Sequence, residues 1–389
     1  MLAVTYGLMY SYSVFFKPLA DYFQWDRATV SLVYSASLVI RGAVSIGTGY
    51  LADRFGAARI MVACGFFIGL GLALSSQVQT LWQFFLTYAV IEAIGLSGTF
   101  GIGTAMISRW FTKNRGLALG IFASGSGLGT LFIVPGVERL IDSVDWSQAF
   151  LICGLASGVF MMAAAFLLRP PPASILNISG SAGGDAGQDA AARAGDTTPG
   201  RSLRDPRMLL LMAAFLTYFF GIQIVMVHLV NHATDIGINP LVAATFISVI
   251  GAVSIASRLS IGAGADRMGI HNSLILTRVF LIVSFVFLLF TRSVWSFYLF
   301  AVLFSIPYGG EIPQIPLYIG KYFGTKSMAT LMGLNLFVIT VGGALGPWIT
   351  GNIFDNTGSY RAAFIAGAFS GALSLALVLV LKRKNRDIG

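Results

Sequence analysis

The stretch Gly49-Tyr-Leu-Ala-Asp53-Arg54-Phe-Gly56 returns as Gly262-Ala-Gly-Ala-Asp266-Arg267-Met-Gly269, 213 residues later. Both copies read G-x3-D-R-x-G, and both close a long apolar run. Other pairs hold the same register at offsets of 212 to 214: Trp110-Phe111 with Tyr322-Phe323, Gly120 with Gly333, Pro135 with Pro347, and Trp146…Phe150 with Tyr360…Phe364. A repeat of this length in an apolar chain means a duplicated unit, two bundles related by internal symmetry with the working site between them.

The 389 residues are 56% hydrophobic and 11% charged, against roughly 25% charged in a water-soluble domain. Twelve apolar stretches are long enough to cross a hydrocarbon layer of roughly 30 Å: about 2–22, 29–51, 59–78, 81–108, 115–138, 147–168, 208–231, 241–264, 273–291, 294–318, 328–352 and 361–382. In lipid each must satisfy its own backbone, and barrel strands would alternate in character, so these are helices. The expected fold class is an all-α membrane protein, with twelve transmembrane helices in two pseudo-symmetric six-helix bundles.

The net charge of +9 is a topology signal and does not point to nucleic acid. Basic residues on alternate connections number seventeen on one side, Arg54 and Arg267 among them. The other side holds four: Arg27, Arg139, Arg292 and Arg361. The positive-inside rule makes the first side cytoplasmic, with both termini inside. Residues 169–207, opening Arg-Pro-Pro-Pro and rich in Gly, Ala, Ser and Asp, have too little apolar area to fold alone. They read as a disordered linker between bundles at 1–168 and 208–389. The two cysteines, Cys64 and Cys153, lie within spans and suit no disulfide, and no metal spacing or cofactor motif is present. No basic region precedes the first span, so no cleavable signal is expected, and Met1 stands so close to it that a short leader is expected to be missing.

Charges inside spans are expensive and are functional candidates by default. Four stand out: Arg41 in span 2, Glu92 in span 4, Arg258 in span 8 and Glu311 in span 10. Arg41 and Glu92 match in depth, which suggests a structural pair. Arg258 and Glu311 also match, leaving Arg258 either an anion anchor or a partner for Glu311. A guanidinium stays charged and can grip a carboxylate through two parallel hydrogen bonds. Lys17 and Arg278, nearer span ends, are expected to snorkel. Pro307, Pro313 and Pro316 predict a kinked or interrupted span 10. His228, His232 and His271 fall at or near span ends without metal spacing.

The two Asp-Arg octets resemble the loop 2–3 signature of the major facilitator superfamily and its half-repeat. Trp110-Phe-Thr-Lys113-Asn-Arg115-Gly-Leu117-Ala118-Leu-Gly120 is similar to the span 5 signature of monocarboxylate transporters, with Asn114 in place of a usual basic residue and Phe122 in place of a usual alanine. Gly346-Pro347, Gly351, Asp355, Gly358 and Tyr360 resemble the end of span 11 in that family and in its oxalate/formate exchanger relatives. The resemblance implies that Arg258 anchors a substrate carboxylate, with Ser254, Tyr308, Asn335 and Tyr10 as further polar contacts. It implies that Asp53, Arg54, Asp266 and Arg267 act in gating. Two departures bear on coupling: Ser254 stands where mammalian members carry an aspartate, and Tyr10 where they carry a lysine. Glu311 is then the remaining candidate for the proton.

The resemblance to the oxalate-type relatives implies a cation in span 11 for the second carboxylate of a dianion; span 11 here, from Met328 to Asn352, holds no Lys or Arg, and a single cation in the cavity suits a monoanion. The sequence thus predicts a secondary active transporter of small monocarboxylates such as lactate or pyruvate, moving with a proton in a bacterial-type inner membrane. It is expected to function as a monomer and to be no enzyme. Alternatives are a carboxylate exchanger of the oxalate/formate type, an unrelated drug or sugar carrier, and a membrane sensor.

Overall fold

The computed structural model describes residues 1–110, 115–168, 204–323 and 328–386. Among them are twelve long helices. In the first half these are α1 Leu2–Phe23, α2 Arg27–Phe55, α3 Ala57–Ser75, α4, α5 Arg115–Val144 and α6 Trp146–Ala165. α4 is continuous through three stretches: Leu81–Phe84, a π-helical Phe85–Glu92, and Ala93–Trp110. The second half comprises α7 Pro206–Asp235, α8 Pro240–Met268, α9 Ile270–Leu288, α10 Val294–Phe323, α11 Met328–Thr357 and α12 Arg361–Arg386. Ten are long and apolar enough to span a membrane. The other two of the twelve predicted spans are α1 and α10. α1 carries Tyr10, Ser11, Tyr12 and Ser13, all buried, and α10 carries Tyr308, Glu311 and Gln314, also buried. Their polar side chains face protein, so neither needs a fully apolar surface.

Local chemistry sets the helix starts. Asp26 caps α2 through the Thr29 N–H at 2.7 Å, Asp145 caps α6 through Gln148, and Asp205 caps α7 through Arg207. Pro206 takes the first position of α7, where its missing N–H costs nothing. α7 therefore begins two residues inside the predicted linker; 169–203 lie outside the described residues. The Arg207 guanidinium beside Asp205 holds that carboxyl below its ordinary range. The last glycine of each octet, Gly56 and Gly269, adopts φ of +95° and +82° in the turns after α2 and α8. L side chains rarely take that conformation, which explains why both copies end in glycine. Of the predicted kink or interruption, the interruption is absent: α10 runs continuously through its three prolines.

Packing repeats with the sequence. α1 lies on α5 as α7 lies on α11, α3 on α6 as α9 on α12, and α2 on α4 as α8 on α10. The halves meet through α2 against α11 and, by the same symmetry, α8 against α5, with α1 facing α7. This is the predicted pair of six-helix bundles, a multi-pass membrane fold.

The seam between the halves is tight at the Arg27 end. A Cβ on Gly351 would meet the Arg27 carbonyl at 2.6 Å, and one on Gly127 would meet the Gly251 carbonyl at 2.6 Å. Gly42 lies against Thr340. Further along, Gly47, Gly49 and Gly333 have nothing within 4 Å, and Ile46, Tyr50 and Ile121 are exposed. Among the described residues the halves are close-packed at the Arg27 end and make fewer contacts toward the Asp53 end.

Candidate functional site

At the closed end one arginine ties the halves together. The N–H groups of Arg27 and Ala28 donate to Asp355 at 2.9 and 2.6 Å. The Arg27 guanidinium forks onto Asp235 at 2.7 and 2.9 Å, donates to the Tyr360 hydroxyl, and lies 3.8 Å over the Phe354 ring. Lys17 stands 3.8 Å from Asp235 and is half exposed, as a snorkelling residue should be. Burial pushes the Tyr360 hydroxyl above its ordinary range, so it stays protonated. Deeper in the seam, His228 bridges Ser31 at 3.3 Å and the Pro347 carbonyl at 3.0 Å; it is buried within α7, not near a span end. Sequence reading used Arg27 only as a topology charge. Removing it takes away a largely buried fork worth about 1–2 kcal/mol, or roughly 5- to 30-fold in closure. A cysteine at buried Ser31, with Cys64 and Cys153 replaced, should then react about that much faster with an impermeant maleimide in Arg27→Ala protein. An unchanged rate would show that Arg27 does not hold this end shut.

Midway along the seam sits Arg258, on the inner face of α8 and 6% exposed. Its Nη1 donates to the Ala123 carbonyl of the opposite half at 2.8 Å. Among the described residues, Nε and Nη2 have no hydrogen-bond partner. Those two donors form one edge of the guanidinium, the edge that grips a carboxylate side-on. The Tyr308 ring lies 5.8 Å from Arg258 Cζ, and Tyr10 of the first half meets Tyr308 edge-on at 6.1 Å. Tyr34 receives a 3.4 Å hydrogen bond from Gln223, whose own oxygen is unbonded. An anchored cation with a free edge, walled by tyrosines from both halves, can hold a small anion.

The fold brings Arg258, Tyr308 and Tyr10 together, and Ser254 and Asn335 do not join them. Ser254 is fully buried in the α8–α10 seam, with its hydroxyl donated to the Gly251 carbonyl at 2.7 Å. Gly309 packs on its backbone. Asn335 is also fully buried and lies on the α11 stripe with Leu331 and Ile339, inside the core of the second half. Its amide atoms are unbonded.

The predicted charge pairs are redrawn. Glu311 does not face Arg258; it stands 3.7 Å from Arg278, and both are buried within the second half. Arg278 therefore does not snorkel. Counting residues from the helix end placed it near the interface, but α9 is surrounded by protein there. Among the described residues, Arg41 and Glu92 form no ion pair. The Arg41 guanidinium donates to the Met9 sulfur, and both Glu92 oxygens are unbonded in full burial. Glu92 ends the π-helical stretch of α4, a distortion frequent at functional sites. The side chains of Asp53, Asp266 and Arg267 lie outside the described residues. Arg54 is exposed, 5.4 Å from the Phe55 ring.

Comparison with known proteins places this architecture. The chain is 27% identical to monocarboxylate transporter 12 of Xenopus laevis over 96% of its length and 85% of that protein. It is 29% identical to monocarboxylate transporter 4 of Rattus norvegicus over 99% of its length and 82% of that protein. Its fold is similar to the solved nucleoside transporter NupG, with a TM-score of 0.71 at 16% identity, covering 98% of both chains. It is similar also to a D-xylose-proton symporter, with a TM-score of 0.72 at 13% identity over 98% and 95% of the two chains. The model of the Major Facilitator Superfamily matches residues 1–347. With its duplicated six-helix bundles, the chain is a secondary transporter, not an enzyme, and belongs to the Major Facilitator Superfamily.

Proposed function

We propose that the transporter carries small monocarboxylates such as lactate or pyruvate together with a proton, by alternating access. The bundles 1–168 and 208–389 rock about Arg258, joined by the linker 169–207, and the membrane is a bacterial-type inner membrane with both termini cytoplasmic. The observation that carries this reading is the free Nε–Nη2 edge of Arg258, held in the seam by the Ala123 carbonyl. The distant, nearly full-length similarity to monocarboxylate transporters supports it. Tyr10 and Tyr308 complete the anion site, and Ser254 and Asn335 support it from the packing around them. Glu311 takes the proton. One chain suffices as the working unit.

In this reading the Arg27 end is the outer face, and the described state opens inward. Asp53, Arg54, Asp266 and Arg267 then close the inner face when the site opens outward. Losing that closure should slow turnover more than binding. Asp53→Asn should therefore lower the uptake rate severalfold with little change in binding. Collapse of affinity at unchanged turnover per bound substrate would remove the octets from gating.

A second reading is exchange of dicarboxylates. Arg41, engaged by the Met9 thioether and no carboxylate, favours it as a second cation. Uptake of labelled L-lactate, pyruvate and oxalate into proteoliposomes separates the two. The monocarboxylate reading expects lactate and pyruvate to enter and oxalate not to compete. Oxalate uptake driven by internal oxalate would establish exchange instead.

A further inference from the structure

The buried charges of the second half form a site of their own. Arg278 Nη1 donates to Thr277 Oγ1 at 2.9 Å and Gln314 Oε1 at 3.0 Å, and Nε donates to Ser374 Oγ at 3.4 Å. Gln314 in turn donates to Ser273 at 2.9 Å, and Ser374 to the Ala214 carbonyl at 2.7 Å. The Tyr218 and Phe215 rings lie 4.3 and 4.9 Å from the guanidinium carbon. Helices α7, α9, α10 and α12 thus cage this cation with neutral acceptors and π faces.

Glu311 is held quite differently. Among the described residues, its two oxygens and Arg278 Nη2 have no hydrogen-bond partner, and the pair is 3.7 Å apart. The charged and titratable groups facing Glu311, among the described residues, are Arg278 from α9 and Tyr218 from α7. Around it α8 contributes Ile261 and Ser257 against Gly310 and Gly309. The cation keeps its cage whether or not the acid is charged. The acid is the member free to change.

The repeat argues that this pair is not inherited scaffold. At the 213-residue offset, Arg278 and Glu311 fall on Gly65 and Gly98. A Cβ at Gly65 would meet the Met162 nitrogen at 2.9 Å, and one at Gly98 would meet Cys64 Sγ at 2.8 Å. One half is packed shut where the other buries two charges at a cost of several kcal/mol. Glu311 also follows Tyr308 by one turn of α10, so the pair shares a helix with the wall of the Arg258 site.

We propose that Arg278 is the positioning residue of proton coupling. Its caged charge sets the pH at which Glu311 gains its proton, and α10 carries the change to Tyr308 and Arg258. The inference rests on the proton-coupled reading above and deepens it. The step is one protonation: an O–H bond forms on a Glu311 oxygen, the carboxylate becomes neutral, and Arg278 stays charged in its cage. The proton enters from the outer solution and leaves to the inner one, and no electrons move.

The test uses full-length protein in proteoliposomes with labelled L-lactate. Arg278→Gln should keep exchange of labelled for unlabelled lactate, while the pH midpoint of gradient-driven uptake moves alkaline by on the order of one unit. Arg278→Lys should restore it toward the native value. Glu311→Gln, alone or with Arg278→Gln, should exchange but show no pH-driven accumulation. An unmoved midpoint in exchanging Arg278→Gln protein, or persistent accumulation in Glu311→Gln protein, overturns the proposal. If Arg278→Gln does not fold, Arg278→Lys and the double variant decide. Infrared titration of purified protein needs no substrate: Glu311→Gln should remove a carboxylic-acid band, and Arg278→Gln should shift its titration to more alkaline pH. If native protein transports no lactate, the substrate reading fails, and these bands still decide the pair.

Discussion

Arg258→Ala protein should reach the membrane in normal amounts and take up no substrate. In the proposed site the buried guanidinium offers a carboxylate two parallel, charge-assisted hydrogen bonds from Nε and Nη2. Losing such a contact costs on the order of 2–4 kcal/mol, or roughly 30- to 1,000-fold in affinity. Arg258→Lys should fail too, because an ammonium has no planar edge and its shorter reach gives up the Ala123 anchor. Measured uptake per transporter decides the matter. Normal uptake by well-expressed Arg258→Ala protein would remove Arg258 as the anchor.

Gly251→Val should also abolish uptake, for a mechanical reason. α8 crosses α5 where Gly251 faces Gly127 and Thr130; a Cβ there would overlap the Thr130 hydroxyl and stand 2.7 Å from the Gly127 carbonyl. Backbone cannot yield as a flexible side chain can. Overpacking of this kind costs about 1–3 kcal/mol, enough to bias the halves roughly 5- to 150-fold away from closure at the Arg27 end. A cycle that must visit both states slows accordingly. The cysteine reporter at Ser31 should become reactive, while Gly136→Ala, which meets open space, should transport normally. Full uptake by Gly251→Val protein would mean that this crossing is not the hinge of the cycle.

The architecture was legible because membrane folding reduces to few choices. Apolar length forces helices, and a constant repeat offset forces two equal bundles. Gly56 and Gly269 show how local the signal can be, for the octets end where the chain turns through positive φ. Arg258 was legible because a buried charge has few explanations. What escaped was the partner of each charge. Depth along a helix matched Arg258 with Glu311 and Arg41 with Glu92, but depth does not fix which way a side chain points. α10 turns Tyr308 toward Arg258 and Glu311 toward Arg278. Arg278 was misread because a position near the end of the predicted span 273–291 looks like interface until the surrounding helices are known. Arg27, outside the apolar runs, gave no signal beyond its charge, since Asp235, Asp355 and Tyr360 converge on it only in the folded chain.

The central claim is that one anchored arginine carries a monoanion together with one proton, so that transport moves no net charge. The most direct measurement is labelled L-lactate uptake into proteoliposomes under two separate driving forces. One is an acidic exterior with the voltage clamped by potassium and valinomycin; the other is an imposed voltage at equal pH. The account predicts accumulation above equilibrium under the pH gradient and none under voltage of either sign. Accumulation that follows the voltage, or that ignores the pH gradient, would contradict it.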